Sequence, residues 1–302
     1  MSIFAASIFA FSYINTPTAE MREKPDSESE IVSEALYSEQ VDTLESSNGW
    51  THIKTVVDNY EGWVRSDSLL QRDKPYPTTA ADSTAKVKIK CANLYKVPDT
   101  IFGPILKLPF ESRLEIIDNS NPRWIKVRLP DNKEAYIQKG DVEIGSKKLT
   151  LEEMCLFSKN FLNLPYTWGG RSSFGYDCSG YVQMLFRQMG VFIPRDTKDQ
   201  IKWNGFKEVA LKDIQRGDLV YWGLEEGKIR HVGLYLGNDA FIHSTVLEDG
   251  QISQFGISVE NNAFIHATVA QNEPNIHVSK LTDSEWNGSA RFKYVAIRRL
   301  AK

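Results

Sequence analysis

The chain has 302 residues, 41% of them hydrophobic, enough to bury one large core or two to three small ones. Its 36 basic and 39 acidic residues leave a formal charge of −3 and are interspersed without a basic stripe, which argues against a nucleic-acid partner. The three cysteines match no zinc-ligand spacing and cannot all pair, so at least one thiol is free, and neither metal nor cofactor is expected.

In chain order, residues 1–13 (MSIFAASIFAFSY) are apolar but shorter than the ~20 residues a spanning helix needs. They also lack the basic start of a secretory signal. A leading β-strand is the favoured reading and an unusual signal the alternative, so location stays open between cytoplasm and periplasm or exterior. No stable membrane insertion is expected.

Residues 14–72 are short alternating segments broken by polar turns, among them Val41–Leu44, Trp50–Val56 and Gly62–Val64, the texture of a small all-β barrel. His52 lies on one of these strands and reads as structural. After a linker rich in Pro and Thr (Lys74–Thr79), residues 84–146 repeat the pattern. Trp124–Val127 and Glu134–Ile137 echo Trp50–Ile53 and Glu61–Val64, as two diverged copies of one module would. Cys91, in an alternating run, reads as a small buried hydrophobe. Trp50, Trp63 and Trp124 fit either a core or a sugar platform.

From 149 to 302 helices come first and strands after, an α+β layout. The capping box Thr150-Leu151-Glu152-Glu153 opens a predicted helix over Leu151–Asn163, with Cys155 in its core. Helices are expected over 179–190 and near 197–202, then strands over Gly217–Trp222, Val232–Leu236 and Ala240–Thr245.

The most informative stretch is Tyr166–Gly180, where a glycine-rich loop delivers Cys178, between Asp177 and Ser179, to the start of the second helix. A thiol at a helix N-terminus is expected to ionise readily and act as a nucleophile. Such a nucleophile needs a base and a group to orient it. His231 opens one strand and His243 sits on the next. A hairpin turning at Gly237–Asp239 brings both to the same end. The segment holding His243 recurs 23 residues later around His266, so His266 is the competing third residue. His277, on a later alternating strand, reads as structural.

Five ordered blocks resemble the NlpC/P60 family of papain-like cysteine peptidases, which cleave peptides of the bacterial cell wall. They are Tyr166…Gly169-Gly170…Asp177-Cys178-Ser179-Gly180, Ile193-Pro194-Arg195-Asp196…Gln200, Arg216–Val220, His231–Gly237 and Phe241-Ile242-His243. Residues 19–25 and 60–64 resemble bacterial SH3-like domains. The resemblance implies a papain-like α+β catalytic domain over 149–302, preceded by SH3-like domains over 14–72 and 84–146. It implies Cys178 as nucleophile, His231 as base, His243 as the residue holding it, and Tyr166 beside the oxyanion. Relatives with this arrangement cut between D-glutamate and the diamino acid of stem peptides. On that resemblance Asp177, Ser179, Asp196, Thr197, Tyr60 and Glu23 would contact a substrate with a free N-terminal L-alanine, either a muropeptide or a stem peptide of intact peptidoglycan. A wall-binding module without catalysis, and a thiol amidase or acyltransferase on another substrate, are the alternatives.

Overall fold

The computed structural model describes residues 11–77, 83–145, 147–224, 228–245, 256–259, 263–266, 275–280 and 294–301. Two compact units result, one holding residues up to Lys147 together with Ser172–Phe174, the other the remainder from Lys148. The expected leading strand is described from Phe11; residues 1–10 lie outside the described residues.

The first unit opens with β1 (Phe11–Ile14), β2 (Thr18–Arg22), β3 (Ile31–Leu36), β4 (Gln40–Ser47), β5 (Trp50–Thr55), β6 (Glu61–Arg65) and β7 (Leu69–Arg72). These form one antiparallel sheet in the order β3-β2-β6-β5-β4-β1-β7. The next seven are β8 (Thr84–Val87), β9 (Cys91–Tyr95), β10 (Leu106–Pro109), β11 (Arg113–Asp118), β12 (Trp124–Arg128), β13 (Glu134–Gln138) and β14 (Val142–Ile144). Their order is β10-β9-β13-β12-β11-β8-β14, the first order advanced by seven. Even the bulge recurs, between Thr43 and Glu45 against β5 and between Ile116 and Asp118 against β12. A bulge bends its strand and deepens the twist, which curls both sheets alike.

Neither sheet closes. The barrels expected from sequence are curled open sheets, because the last strand of each is short and spends its ladder on the first strand of its own copy. Among the described residues no ladder joins β3 to β7 or β10 to β14.

Each sheet wraps an almost wholly apolar core. Ile14, Ala19, Met21, Ala35, Val41, Ile53 and Val64 fill the first; Leu94, Leu108, Leu114, Ile125, Val127 and Ile137 lead the second. Trp50 and Trp124 are buried, each under an arginine (Arg65 and Arg123), so they are core rather than a sugar platform. Trp63 is half-buried and stacks on His52 at 5.0 Å. Cys91 is exposed, contrary to expectation. Ala92 and Leu94 take the core face of β9, and the two-residue period then turns Cys91 outward. The stretch read as a linker is pinned: buried Tyr76 donates its backbone N–H to the Tyr13 hydroxyl (2.9 Å), and its own hydroxyl accepts from the Glu115 N–H (2.8 Å).

The second unit begins with α1 (Leu151–Ser158), whose capping box forms as the sequence predicts: Thr150 N–H donates to Glu153 Oε2 at 2.8 Å, and Glu153 N–H to Thr150 Oγ1 at 3.2 Å. The helix stops short of Asn163, tightening into a 3₁₀ turn at Lys159–Phe161, and Asn163 itself adopts φ 65°. After the short pair β15 (Arg171–Ser172) and β16 (Gly175–Tyr176) come α2 (Cys178–Gln188) and α3 (Thr197–Gln200). Then follow β17 (Phe206–Val209), β18 (Leu219–Gly223), β19 (Ile229–Gly237), β20 (Ala240–Thr245), β21 (Gly256–Val259), β22 (Ala263–His266), β23 (Asn275–Lys280) and β24 (Tyr294–Leu300). Six of them make an antiparallel sheet, β17-β24-β18-β19-β20-β23, on which α2 packs against β19 and β20. The C-terminal β24 enters between β17 and β18, clamped where Arg299 grips buried Asp218 at 2.7 and 2.8 Å.

Candidate active site

The α2 N-terminus is built by backbone contact. Asp177 caps it, accepting from Gly180 N–H at 2.7 Å. The Gly169-Gly170 loop lies so close that a Cβ on Gly180 would stand 2.3 Å from the Gly170 carbonyl oxygen. Only glycine lets the loop cross the first helical turn there. Cys178, the first residue of α2, is 7% exposed.

Burial pushes the Cys178 thiol up to about 12; the Asp177 carboxylate adds to the rise, and the Val232 backbone N–H, Arg195 and the Ser179 backbone N–H oppose it. This reverses the expectation of a readily ionised thiol. A helix terminus is worth about 0.3–1 kcal/mol, under one pKa unit, whereas full burial moves a group by several. Desolvation wins. Burial thus favours the neutral thiol over the thiolate.

The Val232 N–H at the sulfur belongs to the residue that follows His231 on β19. β19 and β20 turn through Gly237, Asn238 and Asp239, all at positive φ, and pair Tyr235 with Phe241. His231 and His243 then meet, Nε2 to Nδ1, at 2.7 Å. Both are buried, His231 beside the Trp222 ring and His243 beside Phe241. The approach depends on Gly233, where a Cβ would come 2.8 Å from the Phe241 ring and 3.2 Å from His243 Cβ. His266 lies on β22, in a separate two-stranded ladder with β21; its side chain lies outside the described residues. His277 sits opposite His243 in the β20–β23 register, its side chain likewise undescribed.

Behind the thiol is a polar cluster. Arg195, 3% exposed, donates Nη2 to Asp177 Oδ2 (2.6 Å), and Nη1 to Asp177 Oδ1 (3.0 Å) and to Ser179 Oγ (2.8 Å). Ser179 Oγ donates to the same Oδ1 at 3.1 Å. Oδ1 thus accepts three bonds and is saturated, while Oδ2 keeps room for one more donor. Gln200, fully buried, donates to the carbonyls of Pro194 (2.8 Å) and Ser179 (3.2 Å). Arg195, Gln200 and Gly233 were visible only as members of matching blocks. What they do is set by contacts across the fold, between residues up to 21 positions apart in these bonds.

Other candidates lie around this cluster or elsewhere. Tyr166 is half-buried, its backbone bridged to Tyr176 ahead of the cysteine. Asp196 is the N-cap residue of α3 without a side-chain cap bond, and pairs with Lys198 at 3.3 Å; Thr197 begins that helix. In the first unit, Tyr60 packs on the first sheet's core and Glu23 is exposed in the loop after β2.

A cysteine at a helix N-terminus, its sulfur against the strand that carries a histidine bonded to a second histidine, has the parts that a cysteine-peptidase type of site requires. Residues 163–255 match the model of the NlpC/P60 family and residues 21–69 that of the bacterial dipeptidyl-peptidase SH3 domain. The chain is 32% identical over 223 residues to the gamma-D-glutamyl-L-lysine dipeptidyl-peptidase of Bacillus subtilis (strain 168), covering 71% of this chain and 72% of that one. It is 28% identical to dipeptidyl-peptidase 6 of Lysinibacillus sphaericus, over 76% of this chain and 85% of that one. A crystal structure of an NlpC/P60 family protein from Bacillus cereus ATCC 10987 shares the fold at TM-score 0.76 and 20% identity, covering 97% of this chain and all of that one. This chain belongs to the NlpC/P60 family of cysteine peptidases and carries an N-terminal SH3-like domain.

Proposed function

We propose that this chain is a cysteine endopeptidase that hydrolyses the amide bond between γ-D-glutamate and the diamino acid, diaminopimelate, of peptidoglycan stem peptides, preferring a free N-terminal L-alanine. The observation that carries the reading is the buried Cys178 at the start of α2, whose sulfur meets the Val232 backbone N–H one residue beyond His231 of the hydrogen-bonded His231–His243 pair. The names of the relatives, gamma-D-glutamyl-L-lysine dipeptidyl-peptidases, support a γ-D-glutamyl bond to a diamino acid, which in those names is L-lysine.

With His231 Nε2 turned to His243, Nδ1 is the nitrogen to take the thiol proton. For it to accept, Nε2 must carry the hydrogen and donate to His243 Nδ1, which places the His243 proton on its Nε2. The Cys178 sulfur attacks the γ-carbonyl carbon. The oxyanion is received by the Cys178 backbone N–H, outside the helical ladder, and by the Tyr166 hydroxyl. Protonated His231 gives its proton to the leaving amine, leaving a thioester. Water, deprotonated by His231, then releases the γ-carboxylate and restores the thiol.

At the amino end, Asp177 has one acceptor position left on Oδ2, and Ser179, Asp196 and Thr197 are the polar groups that follow it in the family pattern. Tyr60 and Glu23 join this set on the resemblance alone; alanine at either is expected to raise KM for a free tripeptide and leave its cleavage point unchanged.

The test is mass spectrometry of products from L-Ala-γ-D-Glu-meso-diaminopimelate, its N-acetylated form and intact sacculi. Release of L-Ala-D-Glu from the free tripeptide alone is expected. Cleavage of all three would keep the chemistry and remove the amine preference. Cleavage of none would overturn the reading in favour of a binding module or another acyl substrate.

A further inference from the structure

The two curled sheets allow a comparison within one chain. In the first copy the loop from β2 to β3 is Glu23-Lys24-Pro25-Asp26-Ser27-Glu28-Ser29-Glu30, and a turn closed by Ser29 N–H to Asp26 C=O (3.1 Å) puts Ser27 and Glu28 at its corner. The matching loop of the second copy, β9 to β10, is Lys96-Val97-Pro98-Asp99-Thr100-Ile101-Phe102-Gly103-Pro104-Ile105. There the turn is closed by Gly103 N–H to Thr100 C=O (3.0 Å), and its corner holds Ile101 and Phe102. Turn corners ordinarily carry polar residues or glycine, as the first copy does.

These two are the most exposed large hydrophobic side chains among the described residues, Ile101 at 75% and Phe102 at 76%, with Ile105 at 53% beside them. The loop is held in shape: Ile101 N–H donates to Asp99 Oδ1 (3.0 Å) and Ile105 N–H to the Leu94 carbonyl (2.8 Å). Asp99 is its only acidic residue. Exposed Lys96 and Lys107 flank the loop, and exposed Lys88 and Lys90 lie on the approach to β9. The first-copy loop, by contrast, carries four acidic residues and one lysine. Since the same topology accepts a polar loop, the fold does not require the apolar tip.

We propose that the β9–β10 tip is a docking point for an anionic lipid surface, with Phe102, Ile101 and Ile105 entering the headgroup boundary while Lys96 and Lys107 meet the acidic headgroups. A protein partner fits less well. A stable interface needs about 800 Å² per side, far more than three side chains on a turn provide. An apolar tip flanked by lysines suits a bilayer interface, where apolar burial and headgroup charge act together. Such docking is peripheral; no described helix is long and apolar enough to cross a membrane.

The experiment is co-sedimentation of the full chain with phosphatidylcholine vesicles, with and without phosphatidylglycerol, for the wild type, Phe102→Ser, the pair Lys96→Glu with Lys107→Glu, and Glu28→Ser as a first-copy control. Binding is expected only with phosphatidylglycerol. It should fall at least about tenfold for Phe102→Ser and for the charge-reversed pair, weaken as salt rises, and be unchanged for Glu28→Ser. All four proteins are expected to share one melting temperature and one rate of tripeptide cleavage. Equal binding by wild type and Phe102→Ser, or none by either, overturns the proposal. So does sedimentation velocity showing a dimer that Phe102→Ser dissolves, which would make a second copy the occupant.

Discussion

The two units treat buried polarity in opposite ways. The first wraps two cores that are almost entirely aliphatic and keeps most of its salt bridges, such as Lys54 to Glu61, on partly or fully exposed positions, buried Lys86 with Glu143 being an exception. The second buries a thiol, an Asp–Arg pair, two histidines and a glutamine within one region of its sheet and helix. Buried polar groups cost stability unless every bond is made, and apolar substitutes of similar shape would serve a scaffold as well. Their concentration in one unit therefore reads as chemistry.

That contrast can be attacked from its strongest point downward. Cys178→Ala is expected to lower cleavage of the free tripeptide by about 10⁴-fold or more while leaving calorimetric unfolding close to wild type. Heavy destabilisation with residual turnover would make Cys178 an ordinary core residue. His243→Ala should reduce kcat by about 10²–10⁴-fold and flatten the acid limb of the pH–rate profile, through loss of the group that holds His231. An unaltered profile would remove it from the mechanism.

Arg195→Met leaves the Asp177 carboxylate buried without its partner, a loss of about 3–5 kcal/mol. Calorimetry should show the second unit melting earlier and the first unchanged. Leu94→Ala is the converse, about 2–5 kcal/mol from the first unit's second core, with kcat for the tripeptide unaltered. Coupled melting in both variants would erase the distinction between the units.

The smallest effect separates two thiols. With its thiol pushed up to about 12, Cys178 should be alkylated by iodoacetamide far more slowly than exposed Cys91 at neutral pH, in peptide-resolved mass spectrometry. The linkage has a sign: the unfolded thiol ionises near 9.0 and the folded one near 12, so its share of stability is intact below 9.0 and lost as pH rises through 12. Cys178→Ala should lack that alkaline loss.

Much of this organisation is legible in the chain. The echo of Trp50–Ile53 and Glu61–Val64 in Trp124–Val127 and Glu134–Ile137 discloses two copies, and the helix-then-strand order discloses the α+β unit. The capping box at Thr150–Glu153 and the turn at Gly237–Asp239 form where local chemistry dictates, because each is closed by neighbours within a few residues. The Asp177 cap and the glycines at 170 and 180 belong to the same class. Local backbone geometry leaves its mark on sequence.

Other features needed the tertiary structure, and the reason is distance along the chain. The sheets stay open because the strands that would close them pair elsewhere, which no local pattern encodes. Cys91 faces outward by the phase of one strand against its core, and β24, the last strand along the chain, takes a place inside the sheet between β17 and β18. The thiol's ionisation differs from the expectation for the same reason: the helix terminus is local and visible, whereas the burial that overrides it is assembled by elements distant along the chain, with β19 and β20 packed on α2. The sequence by itself determined which groups are present and how each turn begins. Only the tertiary structure decided which of them lose water, and so which proton moves.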